Sequence, residues 1–94
     1  MNTEIYEVEI TDTFGGEANY SWVRRERIEV PVGTSDLAIV RLAKQFFGLT
    51  GLRTKNADYG DQIVRDFQPA GLCQIMFITY LETKTQNPKL KHET

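Results

Sequence analysis

The chain has 94 residues, of which 40% are hydrophobic and 26% charged, and a net charge of −2. That length and balance suit one small folded domain and exclude a wholly disordered chain. The slight acidity lacks the basic footprint of a domain that mainly grips phosphates, and one cysteine (Cys73) with one histidine excludes both an internal disulfide and a zinc site.

Residues 4–12, EIYEVEITD, alternate as a half-buried strand does. Tyr6, Val8 and Ile10 share one side; Ile5, Glu7 and Glu9 share the other. Phe14-Gly15-Gly16-Glu17-Ala18 punctuates the pattern, and the two Gly suit a tight reversal. Residues 19–30 resume strand character, with Tyr20, Trp22, Ile28 and Val30 in one parity. If paired residue numbers sum to about 30, Ile10 faces Tyr20 and Val8 faces Trp22, the register that burial favours. Arg24 and Glu26 interrupt that face. Either a bulge re-aims them, or this part of the strand lies at the sheet's margin.

Pro31 and Gly33 end the second strand. Thr34, Ser35 and Asp36 offer helix N-caps, and residues 36–47 follow as a helix. Ile39, Val40, Ala43, Phe46 and Phe47 form its apolar stripe, flanked by Leu37 and Leu42. The Phe46-Phe47 pair reads as core. Gly48 suits the left-handed residue that stops the helix. Residues 49–61 are weakly patterned: Leu52 to Lys55 reads as a short strand and Asn56 to Asp61 as turn. Residues 62–67 alternate loosely, and Gln68-Pro69-Ala70-Gly71 reads as a four-residue hairpin connection. Residues 72–81, LCQIMFITYL, are apolar on both sides, which marks a central strand.

The fold expected is α+β: a small antiparallel sheet with one helix on one face, in the order ββαβββ, its third strand being the weakest. Residues 1–82 form the domain and residues 83–94 a solvated polar tail. One helix covers one face of a sheet, yet Ile5, Val23 and one side of the last strand are apolar on the other. A second copy of the chain is the simplest cover, so a homodimer is expected.

Chemistry is sparse. His92 lies in the tail, and Cys73 reads as an inert core thiol. Asp12 with Glu17, and Asp58 with Asp61, flank turns and lack the spacing of a calcium loop. Gly15-Gly16 precedes a strand rather than a helix, so it is no phosphate loop. Neither an enzyme nor a cofactor site is expected. The polar opening Met1-Asn2-Thr3-Glu4 is unlike a secretory leader, and no run approaches the ~20 apolar residues of a membrane span. A cytoplasmic protein with no membrane association is expected.

The sharpest signal is the concentration of Tyr20, Trp22, Arg24, Arg25 and Arg27. Aromatic and Arg side chains on one strand suit a protein interface or stacked bases and phosphates. In the structural alternative, the aromatics are core and the Arg pair with Glu7, Glu9, Glu26 or Glu29. Residues 1–31 carry seven acids against three Arg, which disfavours nucleic acid. With Tyr20 and Trp22 on the core side, the surface left to a partner is Phe14, Gly15, Gly16 and Glu17, with Arg25 and Arg27.

Residues 8–25, VEITDTFGGEANYSWVRR, resemble a group of short uncharacterised proteins of bacterial phages, plasmids and integrated elements. The likeness is densest in TDTFGGEANYSWVRR and extends through the helix to Asp58-Tyr59-Gly60-Asp61. It implies a setting, a small accessory protein of a mobile element, and assigns no site residue. The function expected is a non-enzymatic module that binds a protein partner, with an inhibitor of a host defence complex as one version. The alternative is a nucleic-acid-binding regulator that uses Arg24, Arg25 and Arg27.

Overall fold

The computed structural model describes residues 2–15 and 17–85. Its elements are β1 (Asn2–Phe14), β2 (Glu17–Pro31), α1 (Asp36–Phe46), β3 (Lys55–Tyr59), β4 (Gln62–Asp66), one 3₁₀ turn (Gln68–Ala70) and β5 (Gln74–Thr85). The strands form one five-stranded sheet in the order β2-β1-β5-β4-β3. Every neighbouring pair is antiparallel, so the protein is α+β and mostly sheet.

Burial follows strand parity. Val8 and Ile10 of β1, Ile28 and Val30 of β2, Ile63 of β4, and Met76 and Ile78 of β5 join one buried cluster with Ile39, Val40 and Ala43 of α1. The register lays Val8 beside Ile78 and Ile10 beside Met76, so these side chains share a face. The opposite face buries Thr11, Val64 and Ile75 beside the half-buried Val23 and Phe77, while Ile5, also half-buried, lies among charged side chains.

Local chemistry sets the ends of α1. The Ser35 hydroxyl accepts from the Ala38 backbone N–H at 3.2 Å, and Asp36 supplies the negative first turn. At the other end Gly48 adopts a φ of 71°, which lets the Leu49 N–H reach the Lys44 carbonyl at 2.7 Å.

The structure corrects several expectations. Phe46 is 52% exposed, and Leu42 is 42% exposed beside it, because the centre of the helix's apolar arc is filled by Ile39, Val40 and Ala43. Phe47 alone of the Phe pair packs against the core. The third strand is residues 55–59, and only Gly60 and Asp61 turn the chain into β4. Lys55, Asn56, Asp58 and Tyr59 are exposed on an edge, so burial leaves little pattern there. Cys73 precedes β5 and is exposed rather than core. β5 continues to Thr85, where it pairs with Asn2 of β1, so residues 83–85 belong to the sheet rather than to a polar tail. The rest of that segment, with His92, lies outside the described residues.

Length positions the candidate site. The 15 residues of β2 extend ~50 Å at ~3.3 Å each, whereas the 11 residues of α1 span ~16 Å at ~1.5 Å each. The Arg24 guanidinium sits 4.9 Å from the centre of the Phe47 ring, which marks where the helix ends along β2. Residues 12–23, the tip of the β1–β2 hairpin, lie beyond it.

Candidate interaction surface on the β1–β2 hairpin

The hairpin turns between the paired residues Phe14 and Glu17. Gly15 has a φ of 62°, as a two-residue connection needs; Gly16 lies outside the described residues. Thr13 pairs with Ala18, but the next pair is Thr11 with Val23. Asp12 therefore stands alone on β1 against residues 19–22 of β2. This wide bulge changes the register for the rest of the hairpin. Ile10 faces Arg24 and Val8 faces Glu26, in place of the expected Tyr20 and Trp22.

The bulge is built around one carboxylate. Asp12 accepts the Ser21 backbone N–H at 3.0 Å, the Asn19 side-chain amide at 2.9 Å, and the Ser21 hydroxyl. Thr11, fully buried, donates its hydroxyl to the Trp22 carbonyl at 2.6 Å. The Asn19 amide above all, and then the Ser21 donors, hold the Asp12 carboxyl far below the usual carboxylate range. Within this frame Tyr20 takes a φ of 59°, alone among the described non-glycine residues. A bulky side chain in that region costs ~1–2 kcal/mol relative to right-handed backbone, so the surrounding bonds must impose it.

The consequence is exposure. Phe14 is 79% exposed, Tyr20 51% and Trp22 40%. The aromatics expected on the core side thus join Phe14 at the surface. Glu17 is exposed as well.

The three Arg separate. Arg24 lies on the helix-ward side, over Phe47. Arg25 points the other way and binds Glu9 through Nε and Nη2, both at 2.8 Å. Arg27 pairs in register with Glu7 without a salt bridge to it and stays exposed. The sequence-derived set is therefore split: Phe14, Tyr20 and Trp22 share the tip, while the Arg spread along both sides of an edge strand.

Two features were not anticipated. One is the Asp12–Asn19–Ser21 network, signalled only by short polar side chains that bond nearby backbone inside an otherwise strand-like run. The other is a groove of about 360 Å³ beside β2, where Ile28 meets Leu42 and Phe46 of α1 between Arg27, Glu29 and Gln45. In each acidic pair that flanks a turn, one member is engaged: Asp12 holds the bulge, and Asp58 binds Arg65 at 2.7 Å. Among the described residues no cluster of three His, Cys, Asp or Glu side chains is arranged to hold a metal.

A larger groove, about 540 Å³, lies across α1 along Leu37, Val40, Arg41 and Lys44. The Lys44 ammonium there already donates to the Leu52 carbonyl at 2.9 Å, which suits a structural role. No helix among the described residues is long and apolar enough to cross a membrane. Comparison of the chain with protein-family models, curated protein sequences and solved structures finds no match.

Proposed function

We propose that this chain is a small non-enzymatic interaction module, an accessory protein of a bacterial mobile element that binds a protein partner through the hairpin tip. The observation that carries the reading is the Asp12-centred bulge, which holds Tyr20 in a costly conformation and leaves Phe14, Tyr20 and Trp22 exposed together. Exposed Trp and Tyr on a fixed frame are the residue types that dominate protein interfaces. An inhibitor of a cytoplasmic host defence complex is one form this role takes. The resemblance of TDTFGGEANYSWVRR supplies the setting, and the tip supplies the surface.

The test is quantitative capture of partners from a native host by wild type and by a Trp22→Ala, Arg25→Ala double variant, with unfolding curves to confirm the fold. Selective loss of one or more host proteins supports the reading. A folded double variant that retains every partner at full affinity refutes it.

The nucleic-acid reading has less support. Arg24, Arg25 and Arg27 diverge, Arg25 is held by Glu9, and Glu26 and Glu29 interleave. If labelled DNA or RNA shifts at low salt, and steeply loses affinity as salt rises, that reading replaces the first. A homodimer through the open sheet face around Ile5, Val23 and Phe77 is a separate element of the proposal. A monomeric mass by light scattering at high micromolar concentration removes it.

A further inference from the structure

We infer that β2 is an acceptor edge, and that the partner supplies an extended segment which adds a sixth strand beside residues 23–30. The inference rests on the protein-binding reading above and names the chemistry of the partner.

Three observations converge on it. The first is topological. Among the described residues β2 has only β1 as a neighbour, so its outer side offers backbone groups to an incoming strand. In antiparallel pairing alternate residues point outward, giving about four N–H and four C=O groups over this window. The bulge at residues 19–22 and Pro31 bound it, since neither continues a regular ladder.

The second is apolar. Leu42 and Phe46 lie one helical turn apart on the flank of α1 that faces this edge strand. With Ile28 they form a groove where the side chains of an added strand would sit.

The third is charge. Arg27, which makes no salt bridge to Glu7, and Arg25, paired with Glu9 but still exposed, line the opposite side of the same edge ahead of Glu29, so acidic side chains placed beside the two Arg would form favourable cross-strand pairs. The complementary segment alternates apolar and acidic residues.

The same charges argue against a second β2 as the occupant. A two-fold axis normal to the sheet pairs residues of the same face, so one residue must face its own copy. Registers centred within residues 24–27 set Arg24, Arg25, Glu26 or Arg27 against itself, and like charges directly opposed are destabilising. Centring on Ile28 brings Pro31 opposite Arg25, and centring on Val23 brings the bulge into the ladder. β2 is therefore protected against itself but open to a strand of complementary pattern.

The probe is a labelled eight-residue peptide alternating glutamate with valine and leucine, titrated into the full chain. Anisotropy follows binding and backbone NMR maps the site. Saturable binding is expected, with amide shifts confined to residues 23–30 and to the neighbourhood of Leu42 and Phe46. Lysine in place of glutamate should weaken binding at least tenfold, as should N-methylation of the peptide nitrogens that face the edge. Phe46→Ser, at an exposed position, should weaken binding at least fivefold without lowering thermal stability.

No shift at millimolar peptide overturns the inference. So do shifts mapped to the open sheet face, indifference to N-methylation, or a dimer that Phe46→Ser converts to monomer. If a host partner is lost on Trp22→Ala, Arg25→Ala substitution but kept by Phe46→Ser, the interaction function stands and strand addition falls. If no partner depends on either, the interaction function itself falls.

Discussion

The left-handed backbone at Tyr20 makes a stability ranking that runs against ordinary strand preference. Tyr favours strands and Gly does not, so replacement of a strand Tyr by Gly normally destabilises. At a φ of 59° the steric term reverses: Gly relieves ~1–2 kcal/mol, offset by ~0.5–1 kcal/mol of extra unfolded-state entropy. Tyr20 is half exposed, so little burial is lost. Tyr20→Gly should therefore range from neutral to ~1.5 kcal/mol more stable, and Tyr20→Asn, which tolerates this region without the entropy cost, should be at least as stable. Tyr20→Val, β-branched, should be the worst, by a further ~1 kcal/mol or more. Urea unfolding followed by circular dichroism reads this directly: at a slope of ~1–1.5 kcal/mol/M, 1 kcal/mol moves the midpoint by ~0.7–1 M. A ranking with Val above Tyr and Gly at the bottom would mean that residue 20 is ordinary strand and that the bulge is wrongly assigned. If the bulge serves recognition, Tyr20→Gly should also lose partner affinity while the fold holds.

Three further outcomes follow from the structure. Asp12 has its carboxyl pKa lowered on folding, so its contribution is present above the ordinary value near 3.8 and fades as pH falls below it. Because the folded carboxyl titrates far below that value, emission of Trp22, the one Trp, should hold at about pH 4 and change only as pH falls well below it, ahead of loss of the far-ultraviolet signal; Asp12→Asn should show the altered emission already at pH 7. Overlaying profiles for the two proteins would remove Asp12 as the organiser of the bulge. Phe67 is fully buried in the core cluster, so Phe67→Ala should cost ~3–5 kcal/mol, a large share of the ~5–14 kcal/mol expected of a chain this size, whereas exposed Leu42→Ala should cost under ~1 kcal/mol in the same urea assay. Equal costs would contradict the placement of α1. Exposed Cys73 should react fully with a thiol-specific disulfide reagent in native buffer, and reaction only after denaturation would return it to the core.

Features set by neighbouring residues were legible in the sequence. Ser35, Asp36 and Gly48 mark the ends of α1 because caps act within one turn of chain. The parity of Val8, Ile10, Ile28 and Val30 marks a face because alternation is local to each strand. The pairing between strands is not local. The expected sum of about 30 is close beside the turn, where Thr13 with Ala18 and Phe14 with Glu17 sum to 31, and it fails at Asp12, where four residues of β2 stand against one of β1 and the sum becomes 34. No periodicity announces that excess, and the residues it sets outside the ladder include Tyr20 and Trp22, which are exposed. β3 was misplaced for another reason. An edge strand with mostly exposed side chains carries almost no burial pattern, so Asn56 and Asp58 read as turn. Cys73 looked buried because an apolar run does not say where its strand begins.

The hairpin tip is held by hydrogen bonds to one carboxylate and one hydroxyl, while the rest of the sheet is held by a packed interior. Amide hydrogens of residues 17–22 should therefore exchange through local opening, on a free-energy scale well below that of global unfolding. Variation in these residues draws little on the folding margin. A lineage could exchange Phe14 or Trp22 for other side chains, and Tyr20 for residues that tolerate left-handed backbone, and leave the domain intact. Selection is thus free to retune what the tip recognises, generation by generation, without first finding compensating changes in the core.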